Sequence, residues 1–231
     1  MKRVAETAAP ARRDDLPPSE RLRITEVFLS LQGESAHAGW PTVFVRLTGC
    51  PLRCRWCDTA YAFHGGHWTG FDQLGQAVEA YGVRHVCITG GEPLAQPNTR
   101  RLVARLAEQR YAVSIETSGA LPIGGLDPRA MVVMDVKAPG SGESQRNLLG
   151  NLEYLRTGDQ AKFVLADRRD YEWARAFVAE HDLAARTEVL FSPVAGELPP
   201  RDLAEWMLAD RLPVRFQLQL HKLLWGDVPG R

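Results

Sequence analysis

Three of the chain's four cysteines fall within eight positions, in the run Gly-Cys-Pro-Leu-Arg-Cys-Arg-Trp-Cys-Asp-Thr at residues 49–59. Cys50, Cys54 and Cys57 form C-x3-C-x2-C on a loop, a spacing that lets three thiolates converge on one soft metal centre. No fourth cysteine lies nearby. A structural zinc site needs a closed set of four ligands, which His37 or His64 would have to complete outside the usual two-pair spacing. Three exposed loop thiols without a metal would be open to oxidation. An iron–sulfur cube on three thiolates leaves one iron free to bind a small chelating molecule, which turns an electron carrier into a site of catalysis.

Other residues stand out against their surroundings. Arg46 interrupts the apolar run Thr-Val-Phe-Val-Arg-Leu at 42–47, and its planar fork suits a carboxylate, although an arginine stem can also cover a core while its head reaches water. Without an anion to meet it, such a buried charge is costly. Thr89-Gly90-Gly91-Glu92-Pro93 fits close backbone approach to a ligand, and equally a strand-to-helix turn. Thr59 is either a weak oxygen ligand for Mg²⁺ or a turn-capping hydroxyl after Asp58. Glu116 could bond ribose hydroxyls and Lys137 could face the same mouth, or either could sit in a structural ion pair. His221 fits a core or interface role as well as a site, and Cys87, among apolar neighbours, reads as a small core residue.

The elements that must position these residues follow from hydrophobic patterning. Strands are expected at Thr42–Leu47, His85–Thr89, Tyr111–Glu116, Met131–Val136, Lys162–Leu165, Glu188–Phe191 and Val214–Leu220. Helical stripes fall at Leu74, Ala77, Val78 and Tyr81, and at Leu102, Val103 and Leu106 behind the capping candidate Asn98. Two more are Trp173, Phe177 and Val178 after Asp170, and Leu203, Trp206 and Met207 after Pro199 and Pro200. Alternating strands and helices give an α/β fold with a parallel sheet and right-handed crossovers. Too few good helices exist for an eightfold barrel, so an incomplete, open parallel β/α barrel is expected. In such folds the chemistry gathers at the strands' carboxyl ends, and Cys50, Gly91, Glu116, Lys137, Ser192 and His221 all fall there.

The chain's 231 residues, 45% of them apolar, suffice for one substantial core, and no run of 18 apolar residues is present to span a membrane. Residues 1–21, rich in alanine, proline and charge with no apolar core of a signal peptide, read as a flexible tail before a single domain at 22–231. Cysteine usage excludes a disulfide framework, and a cytoplasmic location is expected. With 28 Lys plus Arg against 28 Asp plus Glu, no global field selects nucleic acid or a membrane surface.

Together, Cys50-x3-Cys54-x2-Cys57 with Trp56 before the last cysteine, and the Gly-Gly-Glu-Pro at 90–93, resemble the motifs of radical S-adenosylmethionine enzymes. Ser-Leu-Gln-Gly-Glu at 30–34, Arg46, Cys57-Asp58-Thr59, Glu116-Thr117-Ser118-Gly119, the Asp135–Glu143 segment and Gln-Leu-His-Lys at 219–222 are similar to the 7-carboxy-7-deazaguanine synthase family, over residues 24–225. The resemblance implies a radical-SAM-type open barrel with a [4Fe-4S] cluster on Cys50, Cys54 and Cys57, S-adenosylmethionine on its open iron, and Mg²⁺. It implies that a 5′-deoxyadenosyl radical abstracts hydrogen from 6-carboxy-5,6,7,8-tetrahydropterin. The pterin ring then contracts to 7-carboxy-7-deazaguanine with loss of ammonia, on the way to queuosine and related deazapurines.

By the same resemblance, Leu31, Gln32, Gly33, Arg46, Thr89 and His221 hold the pterin, and Thr59 touches Mg²⁺. Gly91 and the backbone of Arg55, Trp56 and Cys57, with Glu116, Asp135, Val136, Lys137 and Ser192, contact S-adenosylmethionine; some family members have Ser-Pro-Lys at 135–137 and Gln at 192. An electron donor such as flavodoxin and a homodimer are implied, with no direct nucleic-acid or membrane partner. Two other readings stand beside this one: an activase that installs a glycyl radical on a partner enzyme, and a zinc- or cluster-bearing interaction module.

Overall fold

A long antiparallel hairpin, Arg21–Leu31 (β1) returning as Pro41–Leu47 (β2), begins a nine-stranded sheet. It continues through His67–Gly70 (β3), Phe71–Glu79 (α1), His85–Gly90 (β4), Thr99–Glu108 (α2), Ala112–Thr117 (β5) and Met131–Asp135 (β6). Gln160–Leu165 (β7), Arg168–Glu180 (α3), Glu188–Pro193 (β8), Pro200–Asp210 (α4), Arg215–Phe216 (β9) and Leu220–Trp225 (α5) complete it. The computed structural model of the chain describes residues 17–226, 228 and 230. Positions 1–16 of the expected tail lie outside the described residues, while Pro18–Glu20 form a 3₁₀ turn.

The strand order is β3-β1-β2-β4-β5-β6-β7-β8-β9, with every pair from β2 to β9 parallel and β1 antiparallel to both neighbours. The end strands β3 and β9 do not pair, so the sheet curls into an open α/β barrel. Its core is the apolar run of each central strand packed under the helices' apolar faces, with Val45, Ile88, Ile115, Phe163 and Phe191 fully buried. Because strand side chains alternate, Phe44 and Arg46 of β2 face the cleft while Val43, Val45 and Leu47 face the helical layer.

Two strands go unread in the sequence and two expectations are corrected. β1 was not anticipated, because Arg21, Arg23 and Glu26 interrupt its apolar alternation, although Leu22 and Ile24 are fully buried. The four-residue β3 was missed as well. The expected strand Val214–Leu220 shrinks to Arg215–Phe216, and Leu220 instead begins α5; a short apolar run does not distinguish strand from helix. Asn98 makes no cap bond: its Nδ2 donates to Pro18 O at 2.7 Å and Arg21 O at 3.0 Å, fastening the start of β1 to α2. The cap of α3 is Asp167, which accepts from the Asp170 N–H.

Candidate active site

A cleft of about 250 Å³ opens at the carboxyl ends of the parallel strands. Cys50, Cys54 and Cys57 line one side, each half-buried. Their loop is pinned at both ends: Gly49 N–H donates to Ala62 O, Glu92 N–H to Gly49 O, both at 2.8 Å, and Arg55 N–H to Ser141 O at 2.9 Å. Gly91 is required here because a Cβ would run into Gly49 O and lie 2.8 Å from Cys50 Cβ. Glu92, fully buried, bonds Leu94 N–H, the Thr117 hydroxyl, and both Ser118 N–H and its hydroxyl, locking the ends of β4 and β5 together.

Among the described residues, no three His, Cys, Asp or Glu side chains form a set for a single metal ion. A cube instead presents a separate iron to each thiolate, and three cysteines without a fourth protein ligand fit that group. Burial, reinforced by Asp135 and the neighbouring thiols against the pull of Lys137, pushes Cys54 up to about 11; burial also raises Cys50. Iron must therefore displace the thiol protons on binding.

Of the residues expected around S-adenosylmethionine, Trp56, Cys57, Gly91, Glu116, Asp135 and Lys137 line the cleft. Trp56 packs on Val164, Ala166 and Val194. Arg55, Val136 and Ser192 do not reach the lining. The Arg55 guanidinium turns outward to Glu197, at 3.0 and 2.7 Å. Val136 joins the hydrophobic core, and Ser192 Oγ is fully buried with no hydrogen-bond partner among the described residues.

Leu31, Gln32, Gly33, Arg46, Thr89 and His221 all border the cleft. The protein itself supplies Arg46 with one anion: its Nε donates to Glu26 Oε1 at 2.8 Å across the β1–β2 pair. Its guanidinium also stands over Phe28 and Tyr61, 5.6 and 5.9 Å from their ring centroids. Its terminal nitrogens make no hydrogen bond to another described residue, which leaves them for an anion in the cleft. Gln32 Nε2 donates to Glu116 Oε1 at 3.1 Å and Thr89 Oγ1 to Glu116 Oε2 at 3.3 Å. A Cβ at Gly33 would strike His221 Nδ1, so only glycine admits the imidazole at this distance.

The cleft floor adds Lys162, which sequence reading did not single out, to the expected Asp135, Lys137 and Glu116. Lys162 of β7 meets Glu34 Oε2 and reaches Asp135 Oδ2 at 3.4 Å, while Lys137 lies 3.1 Å from Asp135 Oδ1. Burial alone would weaken Glu34 as an acid, yet Lys162 and the Gln219 amide hold it at about 2. Glu116 moves the opposite way, raised by burial and by the Glu34 charge. Two neighbouring carboxylates are thus shifted in opposite directions, Glu34 downward and Glu116 upward. At the rim, Thr59 Oγ1 donates to Asp58 Oδ1 at 2.7 Å and makes no cap bond, and Lys222 stands 3.4 Å from Asp58 Oδ2. Against burial, Lys222 and the Thr59 hydroxyl lower Asp58 below its usual range. A hydroxyl and an ionised carboxylate are oxygen donors suited to Mg²⁺.

Residues 44–130 match the model of the radical SAM superfamily. The chain is 45% identical to the 7-carboxy-7-deazaguanine synthase of Chlorobaculum tepidum, over 89% of this chain and 94% of that protein. It is 42% identical to the synthase of the same name from Koribacter versatilis, over 88% and 97%. Among solved structures, QueE from Escherichia coli superposes with a TM-score of 0.72 at 25% identity, covering 87% of this chain and 95% of that one. Streptococcus suis SuiB bound to S-adenosylmethionine shares the fold alone, at a TM-score of 0.51 and 15% identity over 74% and 45%.

Proposed function

Because this chain belongs to the 7-carboxy-7-deazaguanine synthase family of radical S-adenosylmethionine enzymes, it is a ring-contracting carbon–nitrogen lyase of deazapurine biosynthesis, and we propose how its cleft divides the work. Cys50, Cys54 and Cys57 hold the [4Fe-4S] cluster, beside a wall of Trp56, Gly91, Glu116, Asp135 and Lys137 for S-adenosylmethionine. Leu31, Gln32, Gly33, Arg46, Thr89 and His221 hold 6-carboxytetrahydropterin. When bound, the cluster and S-adenosylmethionine supply a 5′-deoxyadenosyl radical able to take a hydrogen atom from the pterin.

The chain's own residues orient and shield that chemistry. The Arg46 fork receives the pterin carboxylate through the nitrogens that Glu26 leaves unused. Gln32 and Thr89, both bonded to Glu116, offer a polar edge to the pterin ring. Trp56 on its apolar bed keeps water from the cluster side. Thr59, with Asp58 beside it, supplies oxygen to Mg²⁺.

The observation that carries this reading is that the three thiols and the Arg46 guanidinium open onto one cleft. The enzyme draws its electron from a donor; a flavodoxin-type donor, a homodimer, a cytoplasmic setting and no direct contact with nucleic acid belong to the same proposal. No described helix is long and apolar enough to cross a membrane. The glycyl-radical activase and the zinc module fall with family membership. The test is anaerobic incubation with the pterin, S-adenosylmethionine and a reductant: the reading requires 7-carboxy-7-deazaguanine and ammonia in equal amounts, and fails if the pterin is returned unchanged.

A further inference from the structure

Three distant segments meet at Glu34. Its Oε2 takes the Lys162 ammonium from β7, and its Oε1 accepts from Gln219 Nε2 at 2.7 Å. The backbone on either side is clasped as well: Leu220 N–H donates to Gly33 O at 2.9 Å, and the Gln217 amide both accepts from Ser35 N–H at 2.7 Å and donates to Ser35 O at 2.9 Å. The bend after β1 is thereby joined to the segment after β9, across the gap where the barrel does not close.

The charges in this clasp are unevenly shared. Lys162 and Glu34 side chains are each 9% exposed, so neither ion is hydrated enough to stand alone. Of the other anions near Lys162, Asp135 keeps Lys137 at 3.1 Å and Glu116 keeps its bonds from Gln32 and Thr89. Glu34 has no second lysine or arginine within ion-pair distance among the described residues. Removing the Lys162 charge would therefore strand Glu34 rather than Asp135. Glu34 adjoins Gly33, which abuts His221, and its N–H donates to Gln32 Oε1 at 3.2 Å.

We propose that Lys162 is a positioning residue for the pterin half of the cleft: acting through Glu34, it holds Gln32 in place and Gly33 against His221 in the arrangement that receives the substrate. The inference rests on the pterin reading above. Supporting groups of this kind act by fixing the geometry of the groups that touch substrate.

The experiment measures the dissociation constant of 6-carboxytetrahydropterin on anaerobically reconstituted enzyme with S-adenosylmethionine present, alongside 5′-deoxyadenosine release without pterin. Lys162→Met should weaken pterin binding by about tenfold or more, within the usual range for coupling between sites, with pterin-free release kept within about twofold. Lys162→Arg should restore most of the affinity. Lys162→Met combined with Glu34→Gln should be no worse than the poorer single variant, since both act through one pair. A folded Lys162→Met that binds pterin as the parent does overturns the proposal; so does full additivity with Glu34→Gln, which would place Lys162 on the substrate itself. If Lys162→Met fails to fold, Gln219→Leu carries the test, because it frees the other arm of Glu34. Weakened pterin binding with release intact is then expected, and unchanged binding overturns the proposal. A parent enzyme that does not bind the pterin would instead sink the reading of the pterin half, which keeps the two failures apart.

Discussion

Glu26 Oε1 accepts hydrogen bonds from both Arg46 Nε, at 2.8 Å, and Tyr61 OH, at 2.7 Å, so one carboxylate oxygen on β1 fixes two groups that face the cleft. The bond uses the inner nitrogen of the guanidinium and leaves its two-pronged end toward the cavity. Glu26 therefore pairs with Arg46 while aiming its free nitrogens at the cavity.

Releasing this aim has a measurable consequence. Glu26→Ala should raise the KM for the pterin by about tenfold while changing kcat little, because an interaction made equally with ground and transition states is lost. The Glu26 side chain is 25% exposed, so the melting temperature should move only slightly. Steady-state kinetics over a range of pterin concentration, with thermal melts beside them, check both halves. Tyr61→Phe removes only a bond to Glu26, one step from Arg46, and should follow in the same direction by a smaller factor.

The cysteines separate cleanly by position. Cys54→Ala should lose both the brown chromophore and reductive cleavage of S-adenosylmethionine. Cys87, fully buried beneath the cleft with a thiol that burial holds well above its usual range, is a packing residue, and Cys87→Ala should keep both. Iron content and visible absorbance of anaerobically prepared variants decide this. A Cys54 variant with full cleavage activity would refute the ligand assignment.

Glu116 ties function to instability. Burial and the Glu34 charge raise its pKa above the ordinary carboxylate value, so as pH climbs through that value the unfolded chain gives up its proton first and unfolding gains. Glu116→Gln should thus raise the melting temperature of the metal-free protein at neutral pH, with the gain vanishing below the ordinary carboxylate range. Activity should fall by about tenfold or more, because Glu116 Oε1 and Oε2 fix Gln32 and Thr89 at the proposed pterin edge. Melting curves from acid to neutral pH test the sign; a gain that persists in acid would contradict it.

At the rim, Thr59→Val removes one oxygen and the hydroxyl bond to Asp58 without touching the cysteines. Turnover should need about tenfold more Mg²⁺ for half-saturation, while the cluster spectrum stays that of the parent. An unchanged Mg²⁺ response would exclude Thr59 as a ligand.

Much of this was legible because the informative residues are out of place locally. Three cysteines on one loop, an arginine inside an apolar strand and a Gly-Gly pair after one each declare themselves within a few positions. Lys162 carried the same signal as Arg46, a lone cation in the buried run Gln160–Leu165, and it could have been singled out on that ground. The pairing with Glu34 could not be read: Glu34 lies 128 positions away, and nothing local shows that the bend after β1 folds under β7. Glu26 was hidden for a related reason, since the charges that make β1 useful also obscured its alternation. The carboxyl-terminal segment misled because Gln217 and Gln219 turn inward to Ser35 and Glu34, contacts that end the strand and begin α5.

The central claim, that one cleft holds a cofactor half and a separable pterin half, is tested most directly on Arg46→Ala, with pterin turnover and pterin-free 5′-deoxyadenosine release measured on one preparation. Loss of one partner of a desolvated charge pair costs about 2–5 kcal/mol, so kcat/KM for the pterin should fall by about 30-fold or more, with Arg46→Lys recovering little. Release without pterin should stay within about twofold of the parent, because Cys50, Cys54 and Cys57 are untouched. Pterin turnover equal to the parent's, or a parallel collapse of both activities, would contradict the account.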